Sequence, residues 1–186
     1  MLVKREALAE TGAIAQRLNL WGGLLDNDDE PVGYFIIWTV YGTFLQGDMR
    51  WWHKRNAGEL APQPLLEHWQ RDRLNHDIVL LNDERRHVVK CEIENHCSRR
   101  GWKPWVANPR TNHVHVVVTA SGYGGDKVRD QLKANCTRGI READKIFLGR
   151  PVWTTKGDVQ YLKTEDELLL AIAYAGEAQD RMGLGS

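Results

Sequence analysis

Two histidines one residue apart, His113 and His115, form the most chemically suggestive pair in the chain. They sit in His113-Val114-His115-Val116-Val117-Val118, a run whose β-branched residues favour a strand. Side chains alternate faces along a strand, so both imidazoles point one way and Val114 points the other. At a rise of about 3.3 Å per residue, their Cα atoms lie about 6.6 Å apart, close enough for two imidazoles to share one metal ion. Two polar residues on an exposed sheet face would give the same pattern. Tyr174 is the second feature. It falls in a C-terminal apolar run read as a helix. With Ile172 as the centre of the apolar face, Leu168, Leu169, Ala175 and Gly176 lie within about 60° and Tyr174 at about 200°. A phenol off the packed face suits a nucleophile, and it also suits an ordinary rim residue.

Two further segments carry charge in a useful arrangement. Arg50-Trp51-Trp52-His53-Lys54-Arg55 interleaves cations with aromatic rings. Cations track phosphates and rings stack on unpaired bases, so this pattern suits single-stranded nucleic acid. The alternative is one core Trp beside a solvated loop. Downstream, Arg129, Lys133, Arg138, Arg141 and Lys145 fall along one side of a helix, a surface suited to a phosphate backbone or simply to water.

The chain has 186 residues with 25 basic and 25 acidic side chains, so bulk charge cannot drive polyanion binding. The distribution is uneven. Residues 99–163 carry 13 basic and 5 acidic groups, while residues 1–48 carry 3 and 7. A basic block between acidic ends suggests a local polyanion site. No run approaches the ~18 apolar residues of a membrane span. Glu6 and Glu10 interrupt the place where a secretory leader would be apolar. Cys91, Cys97 and Cys136 are odd in number and lack zinc-knuckle spacing, which reads as reduced thiols in a cytoplasmic, nucleoid-associated protein.

The elements that must position these residues can be read in order. Residues 1–30 form an appended arm, ended by Gly22-Gly23 and the acidic run 26–30. Val32 to Leu45 is a buried strand rich in β-branched and aromatic residues. Residues 46–78 form a long excursion with a short helix near 64–76. Asn82 or Asp83 caps a helix over 84–100, stopped by Gly101, with Val89, Ile93 and Cys97 as its apolar stripe. Residues 102–120 make two strands around a turn at Asn108-Pro109-Arg110. Asp126 caps a long helix to about Leu148. A short strand over 159–162 follows, then a Thr164/Glu167 capping box and the apolar run 168–175. The order β-α-β-β-α-β followed by a helix is an α+β, ferredoxin-like split βαβ core with an antiparallel sheet, an N-terminal arm and a C-terminal tyrosine helix. Residues 31–186 read as a single domain.

Taken together, these residues resemble the His-hydrophobic-His (HUH) strand family of single-tyrosine transposases, the insertion-sequence and REP-associated tyrosine transposase group. The likeness rests on Asn112-His113-Val114-His115-Val116-Val117-Val118. It is reinforced by Tyr41-Gly42-Thr43-Phe44-Leu45-Gln46-Gly47-Asp48, by Leu132-Lys133-Ala134-Asn135-Cys136-Thr137-Arg138, and by the helix bearing Tyr174 and Gln179. It covers roughly residues 32–181. The resemblance implies a ferredoxin-like domain that cuts and rejoins single-stranded or hairpin DNA. His113 and His115 would hold a divalent metal, Mg²⁺ or Mn²⁺, and Tyr174 would be the nucleophile. Such transposases often show Tyr-x-x-x-Gln, with Gln as a third ligand. Here position 178 is Ala and the Gln comes one residue late, at 179. On a regular helix Gln179 would lie about 140° from Tyr174, whereas Glu177 lies within about 60°. The third ligand is therefore Glu177, or Gln179 with the helix distorted near Gly176.

Attack by a tyrosine conserves the phosphodiester in a covalent intermediate, so strand transfer needs no ATP. The metal would be bound by imidazole and oxygen, a set that favours Mn²⁺ in affinity. Arg50, Trp51, Trp52, Lys54, Arg55 and the helix cations Arg129, Lys133, Arg138 and Arg141 would hold the DNA. Some members pair up and place the tyrosine helix of one subunit at the other's site, so a homodimer is an open arrangement. Two other readings share the fold: a domesticated hairpin-DNA-binding protein without cleavage, and a ferredoxin-like nucleic-acid-binding module that needs no metal.

Overall fold

A computed structural model describes residues 30–48, 52–54 and 58–178. Residues 1–29 of the expected arm, Arg50, Trp51, Arg55 and Gln179 lie outside the described residues. The fold is α+β. Its four-stranded antiparallel sheet comprises β1 (Gly33–Thr39), β4 (Lys103–Pro109), β5 (His113–Thr119) and β6 (Asp158–Leu162), in the spatial order β4-β5-β1-β6. β2 (Trp52–Lys54) and β3 (Gly58–Leu60) form a separate small hairpin within the excursion. The helices are α1 (Pro64–Arg71), α2 (Asp83–Arg100), α3 (Gly125–Ala143) and α4 (Glu165–Ala173), and α4 runs into a π-turn over Tyr174–Ala178. Among the described residues no helix is long and apolar enough to cross a membrane.

Strand alternation divides the sheet cleanly. Tyr34, Ile36 and Trp38 of β1 and Val114, Val116 and Val118 of β5 face α2 and α3, which contribute Val89, Ile93, Cys97, Val128, Leu132, Cys136 and Ile140. Trp102 and Trp153 complete this larger core, so among the described residues three tryptophans fill the interior. The opposite face carries Phe35 and Val117, packed beneath Leu168, Ala171 and Ala175 of the C-terminal helix. Among the described residues, α2 and α3 thus cover one face of the sheet and α4 covers part of the other.

Local signals explain most element ends. Asn82 Oδ1 accepts from the Arg85 amide at 2.9 Å, which fixes Asn82 as the cap of α2. Gly101 ends α2 in the left-handed region, φ +67°. Thr164 Oγ1 accepts from the Glu167 amide and the Glu167 carboxylate accepts from the Lys163 amide, a capping box displaced by one residue at its second arm.

Four expectations need correction. β1 stops at Thr39 rather than 45, because Gly42 turns the chain with φ +75°. The β4–β5 turn is at 110–112, with Asn108 and Pro109 still paired to His115 and Val114. The cap of α3 is Gly124, not Asp126, and α3 ends at Ala143, where the Asp144 carboxylate caps a separate short 3₁₀ turn over Lys145–Phe147. On α4, Leu169 is 62% exposed and the buried face is Leu168, Ala171 and Ala175. The apolar face is therefore centred on Ala171, not Ile172.

Gly125 lets α3 approach the sheet. A Cβ there would clash with Val159 Cγ1 and meet Tyr34 Cδ1 at 2.8 Å. Gly139 faces α2 instead, where a Cβ would meet the flexible Glu92 side chain at 2.5 Å. Gly125→Ala should therefore cost about 1–3 kcal/mol through overpacking. Gly139→Ala should stay within about 1 kcal/mol of wild type, since helix propensity favours Ala and Glu92 can swing aside. Urea denaturation of both variants checks the contrast, and equal losses would contradict the helix–sheet contact.

Candidate functional site

The site lies on the sheet face opposite α2 and α3. β5 supplies His113 and His115, whose ring centroids are 4.6 Å apart. Their convergence follows from the i, i+2 spacing on one strand. Register places Thr39 across from His113, and Ile37 and Asn108 on either side of His115. Asp158 follows beyond Ile37 on β6. The Tyr174 ring stacks on His115, with centroids 5.9 Å apart and planes 27° apart. Phe35 meets both rings edge-on, at 5.5 Å from His115 and 5.8 Å from Tyr174. Residues far apart in sequence thus share one aromatic cluster, and the expected nucleophile docks on the histidine strand of its own chain.

The two imidazoles are in different settings. His115 is 2% exposed, and its Nδ1 has no hydrogen-bond partner among the described residues. Burial, then the neighbouring His113 and Arg110, lower its pKa to about 3. His115 is therefore neutral at physiological pH, the form that ligates metals. His113 is half-buried, and its Nδ1 lies 2.6 Å from Asn112 Oδ1. An amide oxygen only accepts, so His113 Nδ1 donates, and in the neutral ring Nε2 then carries the lone pair. Metal-ligating histidines are commonly oriented in this way through their second nitrogen. Asn112 is held in turn, since its carbonyl accepts from the Val40 amide at 2.8 Å and from Thr43 Oγ1 at 3.1 Å.

The donor set of two neighbouring imidazoles, one with a buried unpartnered nitrogen, fits a divalent transition metal. Among the described residues no third His, Cys, Asp or Glu completes a cluster. Of the two residues weighed as a third ligand, Glu177 lies within the π-turn and Gln179 lies outside the described residues. A π-turn bonds i to i+5 in place of i to i+4 and so absorbs one extra residue.

The expected DNA contacts are dispersed. Trp52 and Lys54 lie on β2, paired with Leu60 and Gly58 of β3. α3 packs on the far side of the sheet from the histidines, and three of the four α3 cations expected to hold DNA are engaged within the fold. Arg129 is buried, paired with Asp126 at 2.5 Å and Asp130 at 2.9 Å, and donates to the Gly157 carbonyl. Lys133 donates to the carbonyls of Thr154 and Lys156. Arg141 donates to the Phe147 and Arg150 carbonyls. Arg138 donates to Asn135 Oδ1 at an exposed position, where Arg99 also reaches Asn135. Fixed carbonyl partners were invisible in the helical charge pattern. Asn112 stood in the quoted strand segment without an assigned role, and Phe35 and Asn108 were missed because only strand register brings them beside His115.

No family model, curated protein or solved structure matches the chain.

Docking of Tyr174 makes a direct prediction. Tyr174→Phe keeps the ring stack and should change stability by less than about 0.5 kcal/mol. Tyr174→Ala removes the aromatic contacts to His115 and Phe35 and should cost more than about 1 kcal/mol. Chemical denaturation compares them. Two neutral variants would mean that the ring does not dock.

Proposed function

We propose that the protein is a metal-dependent, single-tyrosine DNA strand transferase of the HUH type. It would act on single-stranded or hairpin DNA through a ferredoxin-like, split βαβ domain. The observation that carries this reading is the stack of Tyr174 on His115, beside His113, on one sheet face. The sheet order β4-β5-β1-β6, with α2 and α3 on one face, supports the fold assignment.

His113 and His115 would hold the metal, with Glu177 or Gln179 as the third ligand. When bound, Mg²⁺ or Mn²⁺ supplies charge neutralisation and orientation of the scissile phosphate. The chain's own residues do the rest. Asn112 orients His113, and the packing of Phe35 holds both His115 and Tyr174. The Tyr174 phenol oxygen bonds to phosphorus and gives up its proton. The bond to the 3′ oxygen breaks, and that oxygen leaves as a hydroxyl. One phosphodiester replaces another, so the reverse step can rejoin a strand. Tyr174 would attack at its own chain's histidines, since the ring is docked there.

Incubation with a library of hairpin and single-stranded DNA plus Mn²⁺ should yield a covalent protein–DNA adduct. Tyr174→Phe, His113→Ala, His115→Ala and chelation of the metal should each abolish it, with DNA affinity largely kept. Binding without any adduct would favour the hairpin-binding reading instead.

A mixing experiment checks the intramolecular arrangement. Combining His115→Ala chains with Tyr174→Phe chains should give no adduct, because no chain then holds both groups. An adduct from the mixture would show attack across a dimer.

A further inference from the structure

We propose that Asn108 is a positioning residue that ties the tyrosine-bearing turn to the histidine strand, an inference that rests on the strand-transferase reading. Asn108 lies on the edge strand β4, directly across from His115 and on the same sheet face. Its Nδ2 donates to the carbonyl of Ala175 at 2.6 Å. Ala175 follows Tyr174 within the π-turn. One side chain therefore adjoins a candidate metal ligand through the sheet and the candidate nucleophile through a backbone hydrogen bond.

The need for such a tie follows from the packing. The C-terminal helix and turn meet the sheet through Leu168, Ala171 and Ala175, with Ile172 and Tyr174 partly buried beside them. The two alanines let the helix approach closely but bury little apolar area and set no register of their own. A directional hydrogen bond supplies the register. It also acts where the helix changes from i+4 to i+5 bonding, and side chains that insert into a helical ladder stabilise such irregularities. A local use of Asn108 is ruled out by the pairing, because the β4–β5 turn comes after it, at 110–112.

The test uses the full chain with Asn108→Asp, which keeps the shape but carries no donor for the Ala175 carbonyl. Two quantities are read: the single-turnover rate of adduct formation with hairpin DNA and Mn²⁺, and the ¹⁹F NMR signal of Tyr174 after 3-fluorotyrosine labelling, assigned with Tyr174→Phe. The rate should fall about 100-fold, as for a reacting group displaced by about 1 Å, with DNA affinity held. The Tyr174 signal should move toward its unfolded position as the ring leaves His115 and Phe35. If Asn108→Asp does not fold, Asn108→Ala is read in the same way. A rate within about threefold of wild type overturns the inference, whatever the signal does. A slowed rate with an unmoved signal also overturns it, since the tyrosine has then stayed in place. If wild type forms no adduct with any DNA, the strand-transferase reading fails. The NMR signal then decides alone whether Asn108 docks the turn: a shift supports the tie, and an unmoved signal removes it.

Discussion

The antiparallel pairing of β1 with β5 is the constraint on which the molecule depends. Its register sets Ile36 opposite Val116 on the face covered by α2 and α3, and Ile37 opposite His115 on the other. Because side chains alternate with a period of two, one strand serves both purposes at once. Val114, Val116 and Val118 are fully buried in the larger core, and this burial holds β5 in place. The imidazoles between them are then presented by a rigid element rather than by a loop. A one-residue slip would exchange the two sets and lose core and site together.

The second layer of organisation is the C-terminal helix, which covers only part of the histidine face. It hides Phe35 and Val117 and leaves Ile37, Thr39 and His113 partly accessible. Under the proposed function a DNA strand would approach this half, with Tyr174 at its border. Burial removes His115 from water and keeps its imidazole neutral, and the more accessible His113 is oriented by Asn112. The helix is short and packs through Leu168, Ala171 and Ala175, so it buries less apolar surface than α2 and α3 do.

Charge is organised differently from shape. The basic block of the sequence maps chiefly to α3 and the loops beside it, on the far side of the sheet from the histidines. There Arg129, Lys133 and Arg141 act as internal struts, each donating to backbone carbonyls of the segment between α3 and β6 or of β6's approach. Exposed cations remain at Arg99, Arg100 and Arg138, close enough together to disfavour protonation of the buried His96, whose pKa is lowered chiefly by burial. Most of the basic block therefore lies away from the candidate reacting groups among the described residues, with Arg110 beside the histidines as an exception.

Much of this was legible from the sequence, because it depends on short-range periodicity. The order of strands and helices, the Asn82 and Thr164 caps, the Gly101 stop and the shared face of His113 and His115 all follow from residues within a few positions of one another. Tyr174 could be singled out as a phenol on a helix, but nothing local says what lies beneath it. Its stack on His115 depends on strand order, on Phe35 from the first strand, and on a π-turn that no helical wheel anticipates. The same limit explains the cations of α3 and the role of Asn108. A helical wheel assigns the cations to a solvated face, and the Asn-Pro pair reads as a turn. Only tertiary contact decides that Arg129 is buried, that Lys133 meets two carbonyls, and that Asn108 reaches across to Ala175. Local sequence specifies backbone conformation and the direction of a side chain. Its partner is chosen by elements that meet across the sheet, and hydrogen bonds between them form only when the global packing has brought them together.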